Sequence, residues 1–149
     1  MKRAFTMIEI LVTMGLFLII TGVVIGNFRG VTSQQKVNQS VALIRQTLQT
    51  ARANAMAGKK MCTGTLVSWA VVVYQNGDDN FVKLTNVCAA GDQIDTGNWQ
   101  LSEGVTITNN IVHFNPLSGG LVGQADVNFT VTHNDVTGSV LVKSSGEII

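Results

Sequence analysis

The first hydrophobic pattern in the chain is a nearly unbroken apolar run close to its amino end. Residues 5–28 read FTMIEILVTMGLFLIITGVVIGNF and contain one charged side chain, Glu9. About 24 helical residues are long enough to cross a hydrocarbon core of about 30 Å. Lys2 and Arg3 precede the run, so the positive-inside bias sends the rest of the chain outward. The pattern predicts a single membrane-spanning segment.

A second apolar pattern, with helical spacing, follows residue 28. Steps of three and four residues place its members on one helical face: Val37, Val41, Ile44, Leu48, Ala51 and Ala55. No proline interrupts the chain before Pro116. One helix is therefore expected from near Phe5 to about Met56, with residues 29–58 as its amphipathic half and Gly58 as its stop.

Beyond Met61 the pattern becomes that of strands. Stretches rich in β-branched and aromatic residues predict strands at 65–74, 81–87, 105–108, 111–115, 127–132 and 139–143. Asn76-Gly77, followed by Asp78 and Asp79, predicts a hairpin turn. The expected fold is α+β, with a long N-terminal helix packed against antiparallel β-sheets and a β-rich head over residues 61–149.

Charge is distributed unevenly along the chain. Between Ile10 and Gly77 there is no acid, and six basic residues give about +6; from Met61 onward eight acids face two lysines, about −6. Arg45 and Arg52 flank the apolar helix face. Either their stems pack on that face with the head groups in water, or they contact acidic heads of adjacent subunits.

The two cysteines, Cys62 and Cys88, lie in the part of the chain expected outside the cytoplasm, where thiols oxidise. A disulfide is predicted, and two unpaired buried thiols are the alternative. Closing a loop of about 25 residues would contribute on the order of 3 kcal/mol.

Glu9 is the unusual residue of the apolar run, because a carboxylate in hydrocarbon is costly and usually has a partner. Cleavage between Ala4 and Phe5 would place a new α-amino group about one helical turn before Glu9. The same group on a neighbouring subunit could neutralise the carboxylate. A plain signal anchor needs only length and charge, so Glu9 favours an assembly role.

Lys2-Arg3-Ala4 followed by Phe5-Thr6-Met7-Ile8-Glu9 resembles the prepilin peptidase site of type IV pilin-like proteins. The resemblance implies a leader at residues 1–4, cleavage between Ala4 and Phe5, N-methylation of Phe5 and a role for Glu9 in assembly. Those proteins nearly always have Gly where Ala4 stands.

The remaining order resembles the pseudopilin H and FimT/FimU-type minor pilins, through the helix end from Leu48 to Arg52, the strand with Trp69, and Val112-His113-Phe114 before Pro116. This implies a minor pilin or pseudopilin of a type IV pilus or type II secretion system, which joins, initiates or caps a filament. The implied location is the bacterial inner membrane, with the head in the periplasm. The implied partners are other pilins or pseudopilins and the prepilin peptidase.

A DNA-binding minor pilin of an uptake pilus is the alternative function. Such pilins use a basic C-terminal motif, whereas residues 144–149 contain Glu147 and no basic residue. An acidic head would repel phosphates, so nucleic acid is not an expected partner.

No catalytic chemistry is indicated. His113 and His133 stand apart from other ligand-type residues, and no nucleophile or phosphate-loop motif is present. Asp78 and Asp79 are interpreted as turn residues, with a calcium loop as the weaker alternative. The chain is expected not to be an enzyme and to hold no metal or cofactor.

Overall fold

The structure, a computed structural model, describes residues 7–89, 91 and 93–149, and within residues 22–31 it describes the helical backbone alone. One helix, α1 (Met7–Met56), precedes the strands. These are β1 (Leu66–Asn76), β2 (Asp79–Cys88), β3 (Gln93–Gln100), β4 (Thr106–Ile107), β5 (Asn110–Phe114), β6 (Val127–His133) and β7 (Val136–Val142).

The chain divides into two compact units, Met1–Ser33 and Gln34–Ile149. All the strands lie in the second unit, where they form two antiparallel sheets. The first sheet has the order β3-β2-β1-β5, and the second has the order β4-β6-β7. This unit therefore builds its own core from two sheets and the helical residues after Gln34.

The turn between β1 and β2 is a two-residue turn with Gly77 and Asp78 at its centre. Asn76 pairs with Asp79, and Gly77 adopts φ 65° at the first central position. A positive φ at that position is typical of a type II′ turn, whose twist suits a β-hairpin and which favours glycine. The predicted hairpin is confirmed.

The core of the second unit is continuous. The helix contributes Val37, Ile44, Leu48, Ala51 and Ala55, all fully buried, which confirms the predicted apolar face from Val37 onward. Gly138 on β7 permits close packing of this face, because a Cβ there would lie 2.8 Å from a methyl carbon of Val37 and 2.9 Å from one of Val41. The largest fully buried side chains are Trp69, Phe114 and Phe129.

The end of α1 follows from Gly58. The amide of Gly58 donates to the carbonyl of Ala55 at 3.0 Å, and that of Lys59 donates to Asn54 at 3.0 Å. With Gly58 at φ 60°, this is a Schellman arrangement, in which the left-handed residue satisfies the last helical carbonyls. The predicted stop is confirmed.

The fold prediction is nevertheless wrong in making the N-terminal helix one long apolar element packed against the sheets. The helical side chains that are described form two shorter stretches, 7–21 and 32–56, followed by seven strands. Among the described residues, no helix is long and apolar enough to span a membrane. The physical reason for the correction is burial: the apolar side chains of residues 7–20 are exposed, whereas contact with the sheet core begins at Val37.

Two of the four sheet edges, those of β5 and β7, are covered by the chain itself. Residues 120–124 lie along the outer side of β5. The amide of Asn115 donates to the carbonyl of Gly120, and the amide of Val122 donates to the carbonyl of His113. On β7, Leu141 and Ile149 exchange two backbone hydrogen bonds of 3.1 and 2.9 Å. The outer edge of β3 has no paired strand among the described residues.

Candidate assembly interface

The most unusual surface of the molecule is the apolar stretch at residues 7–20. It carries large apolar side chains on every side of the helix, and each of them is at least 47% exposed. These are Met7, Ile8, Ile10, Leu11, Val12, Met14, Leu16, Phe17, Leu18, Ile19 and Ile20. A helix that is hydrophobic all round is normally buried in a protein or in lipid. An exposed surface of this size marks a site of contact with protein or lipid.

Glu9 interrupts this apolar surface. It is exposed in the first turn of α1 and forms no ion pair or hydrogen bond with a described residue. Any agent that covers the apolar side chains would also remove water from this carboxylate, which requires a partner charge or hydrogen-bond donors. The hydroxyl of Thr13, four residues further along the helix, is already engaged, since it donates to the carbonyl of Ile10 at 2.9 Å.

The residues predicted for processing, Ala4 and Phe5, lie outside the described residues. Cleavage between them, methylation of Phe5 and the leader at residues 1–4 stay predictions.

The predicted disulfide is confirmed. Cys62 and Cys88 are bonded, with their Cα atoms 6.6 Å apart and a separation of 26 positions in sequence. The bond attaches the segment after α1 to the end of β2. The amide of Met61 donates to Oδ1 of the buried Asn86 at 3.4 Å, and Nε1 of Trp69 donates to the carbonyl of Lys59 at 2.8 Å. The covalent bond and these two hydrogen bonds fix the connection between helix and first sheet.

His113 has a partner that sequence spacing did not indicate. Its Nδ1 lies 3.1 Å from Oγ of Ser68, which is 45 residues away on β1. In some enzymes, a serine in contact with a histidine is a nucleophile that the histidine activates as general base. However, Ser68 is 2% exposed, so a substrate could not reach its hydroxyl. The pair joins β1 to β5 as a structural contact.

Burial lowers the pKa of His113 below its ordinary value, because the partly enclosed site disfavours the charged imidazolium. The unfolded chain therefore binds this proton more readily than the folded chain. The contribution of His113 to the free energy of unfolding should be complete at neutral pH. It should decrease as the pH falls through the ordinary pKa of histidine, about 6.5.

We expect His113→Gln to flatten this dependence between about pH 7.5 and 5.5, measured by denaturant unfolding at each pH. A ¹H NMR titration of the ring gives an independent check. A midpoint at or above that of a histidine in an unstructured peptide would contradict the expected direction.

His133 also has a local structural contact. Its Nδ1 lies 2.7 Å from the carbonyl oxygen of Gly104, and its ring covers that glycine, which has φ 74°. In the described part of the chain, no three residues of histidine, cysteine, aspartate and glutamate are grouped as metal ligands.

The two arginines of the helix differ in their surroundings. Arg45 is exposed, whereas Arg52 is partly buried and its Nε atom is enclosed without a hydrogen-bond partner among the described residues. A Cβ on Gly119 would lie 3.3 Å from Cγ of Arg52, and one on Gly146 would lie 3.3 Å from its Nε. Two glycines distant in sequence therefore lie against the Arg52 side chain, a proximity that no local motif indicated.

No protein-family model, curated protein or solved structure matches the chain.

Proposed function

We propose that this chain is a minor pilin or pseudopilin, a subunit that is assembled into the filament of a type IV pilus or type II secretion system and joins, initiates or caps it. The observation that carries the proposal is the exposed apolar surface at residues 7–20 with the carboxylate of Glu9 within it. In a filament, the corresponding segments of neighbouring subunits cover this surface.

The second unit supports the same proposal by its construction. Its own apolar core is closed, and its connection to the helix is stapled by Cys62–Cys88, as suits a domain that works in an oxidising compartment. Before assembly the subunit resides in the inner membrane, with residues 61–149 in the periplasm. The basic residues Lys2 and Arg3 favour this orientation.

Glu9 gives the assembly step its selectivity. After cleavage behind Ala4, the α-amino group of Phe5 on one subunit pairs with the carboxylate of Glu9 on the next. At low dielectric an unpaired carboxylate is strongly unfavourable, so subunits that enter out of register are rejected. Apolar contact supplies the driving force, and the ion pair fixes the register.

The test is incorporation of the full chain into filaments in cells that make the partner subunits. Glu9→Ala is expected to lower the amount recovered with sheared filaments about tenfold or more, since the positive group of the neighbour is left unpaired. The amount in the membrane fraction should not change.

Asp126→Asn is the matched control, because Asp126 is an exposed acid of the second unit, is remote in sequence from the apolar stretch, and keeps as asparagine the oxygen that accepts from the amide of Ser144. It should be incorporated at the normal level. Normal incorporation of Glu9→Ala would contradict the proposed function.

A further inference from the structure

Arg52 lies in a groove at one end of the second unit. The groove has a volume of about 300 Å³ and is lined by Gln49, Arg52, Ala53, Met56, Glu147 and Ile148. Nε of Arg52 is buried without a hydrogen-bond partner, and the guanidinium forms no ion pair with a described residue. The acid that lines the groove, Glu147, is already paired with Lys143 at 2.7 Å. Since Nε is enclosed, the terminal nitrogens of this partly exposed, unpaired guanidinium are the groups that can bind a carboxylate from outside.

The same end of the unit carries further positive charge. Lys59 and Lys60 are exposed directly after the helix end. Leu117 also lies at this end, where its amide donates to the carbonyl of Ala55 at 3.0 Å. Arg52, Lys59 and Lys60 are named the basic end.

The opposite end is acidic. Asp78 lies in the β1–β2 turn and Asp79 begins β2, while Glu103 precedes β4 and Asp135 lies in the β6–β7 turn. These four residues are named the acidic end, and none of them forms an ion pair with a described residue.

Hydrogen bonds bring the acidic segments together. Nδ2 of Asn80, beside the first turn, donates to the carbonyl of Val105 at 2.6 Å, and His133, beside the last turn, contacts Gly104. Nζ of Lys36 also lies at this end, where it donates to the carbonyl of Glu103 at 3.0 Å. Since Lys36 and Arg52 are about 16 residues apart on the helix, the two ends are separated by about 24 Å.

From this arrangement we infer that copies of this chain associate end to end, with the basic end of one copy receiving the acidic end of the next. The guanidinium of Arg52 donates to a carboxylate at the β1–β2 turn, where Asp78 is exposed. Because the two surfaces differ, the contact is heterologous and can repeat along a row of subunits. The inference goes beyond the proposed function, since it concerns the second unit alone and makes no use of Glu9.

Zero-length carbodiimide coupling tests this contact, because it joins an amine to a carboxylate only when they touch. The full chain is purified in detergent as Arg52→Lys, which keeps the positive charge and supplies an amine. Isotopically labelled and unlabelled chains are mixed, so mass spectrometry separates coupling between copies from coupling within one copy.

Coupling between copies is expected from the amine introduced at position 52 to Asp78 or another residue of the acidic end. In the unaltered chain, Lys59 and Lys60 should couple to the same acids. This measurement tests the contact without any substitution, so it does not depend on the folding of the variant. Raising the ionic strength to about 1 M should lower these yields about fivefold, because the Debye length falls to about 3 Å.

Arg45→Lys is the control, since Arg45 is exposed on the same helix outside the groove. It should give about fivefold less coupling to the acidic end than Arg52→Lys. Coupling of residue 52 to Glu147 within one chain shows that the amine reacts. If that internal product forms while coupling between copies is absent, or is equal for the two variants, the inference is overturned.

Discussion

Replacing Trp69 with alanine is expected to lower the free energy of unfolding of the second unit by about 3–5 kcal/mol. Trp69 is 1% exposed and belongs to the core cluster of both sheets and the helix. Its indole N–H also donates to the carbonyl of Lys59 at 2.8 Å. The substitution removes the ring and leaves the carbonyl of Lys59 without this donor, so packing and hydrogen bonding are lost together.

Two further variants separate these contributions. Trp69→Phe keeps an aromatic ring but removes the donor, and should lower the free energy of unfolding by about 1–2 kcal/mol. Trp99→Ala changes a tryptophan that is 41% exposed and should have a smaller effect than Trp69→Ala. The measurement is guanidinium denaturation of the full chain in detergent, followed by circular dichroism in the strand region. Equal losses for Trp69→Ala and Trp99→Ala would contradict the assignment of Trp69 to the core.

Loss of the Cys62–Cys88 bond is expected to lower the free energy of unfolding by about 3 kcal/mol. The bond closes a loop of the unfolded chain that spans 26 residues in sequence. That loop contains β1 and β2, so its closure restricts the hairpin that forms the centre of the first sheet. Cys62→Ser combined with Cys88→Ala removes the bond and places no hydroxyl at the buried position 88.

Reduction of the unaltered chain is the control for this experiment. The reduced chain and the double variant should unfold at similar guanidinium concentrations, both below that of the oxidised chain. If reduction leaves the midpoint unchanged, the bond does not stabilise the unit.

Much of the second unit could be predicted from local pattern. All six predicted strands are present within a few residues of their expected ends, because each combines β-branched or aromatic residues with flanking turn residues. Gly58 and the Asn76-Gly77 turn could be predicted for a similar reason: each position requires a backbone conformation that few residues adopt.

β3 was not predicted. Its sequence, QIDTGNWQ, lacks regular alternation and contains Gly97, which weakens a strand signal. It forms because β2 offers a partner: Val82 pairs with Trp99 and Lys83 with Asn98, with a register shift beside Leu84. The ring of Trp99 lies against the Cα of Gly97, in the space that a side chain there would occupy. Such tertiary pairing is not visible in the local pattern.

The error about the N-terminal helix has a physical cause as well. Apolar spacing shows which side chains seek burial, but it does not show what buries them. The same kind of residues supplies the core at Ile44 and Leu48 and remains exposed at Phe17 and Leu18. Local pattern does not predict the Ser68–His113 contact or the groove at Arg52, because each joins residues far apart in sequence.

The covered sheet edges restrict how this molecule can be joined to others. With Ile149 paired to Leu141 and residues 120–124 lying along β5, those two edges offer few free backbone groups to a foreign strand. On β3, the salt bridge of Asp95 with Lys83 at 2.6 Å places a charged pair beside the outer edge of that strand. Recognition at these two covered edges must therefore rely on side chains, and there a change of one surface residue can alter the choice of neighbour while the sheets stay intact.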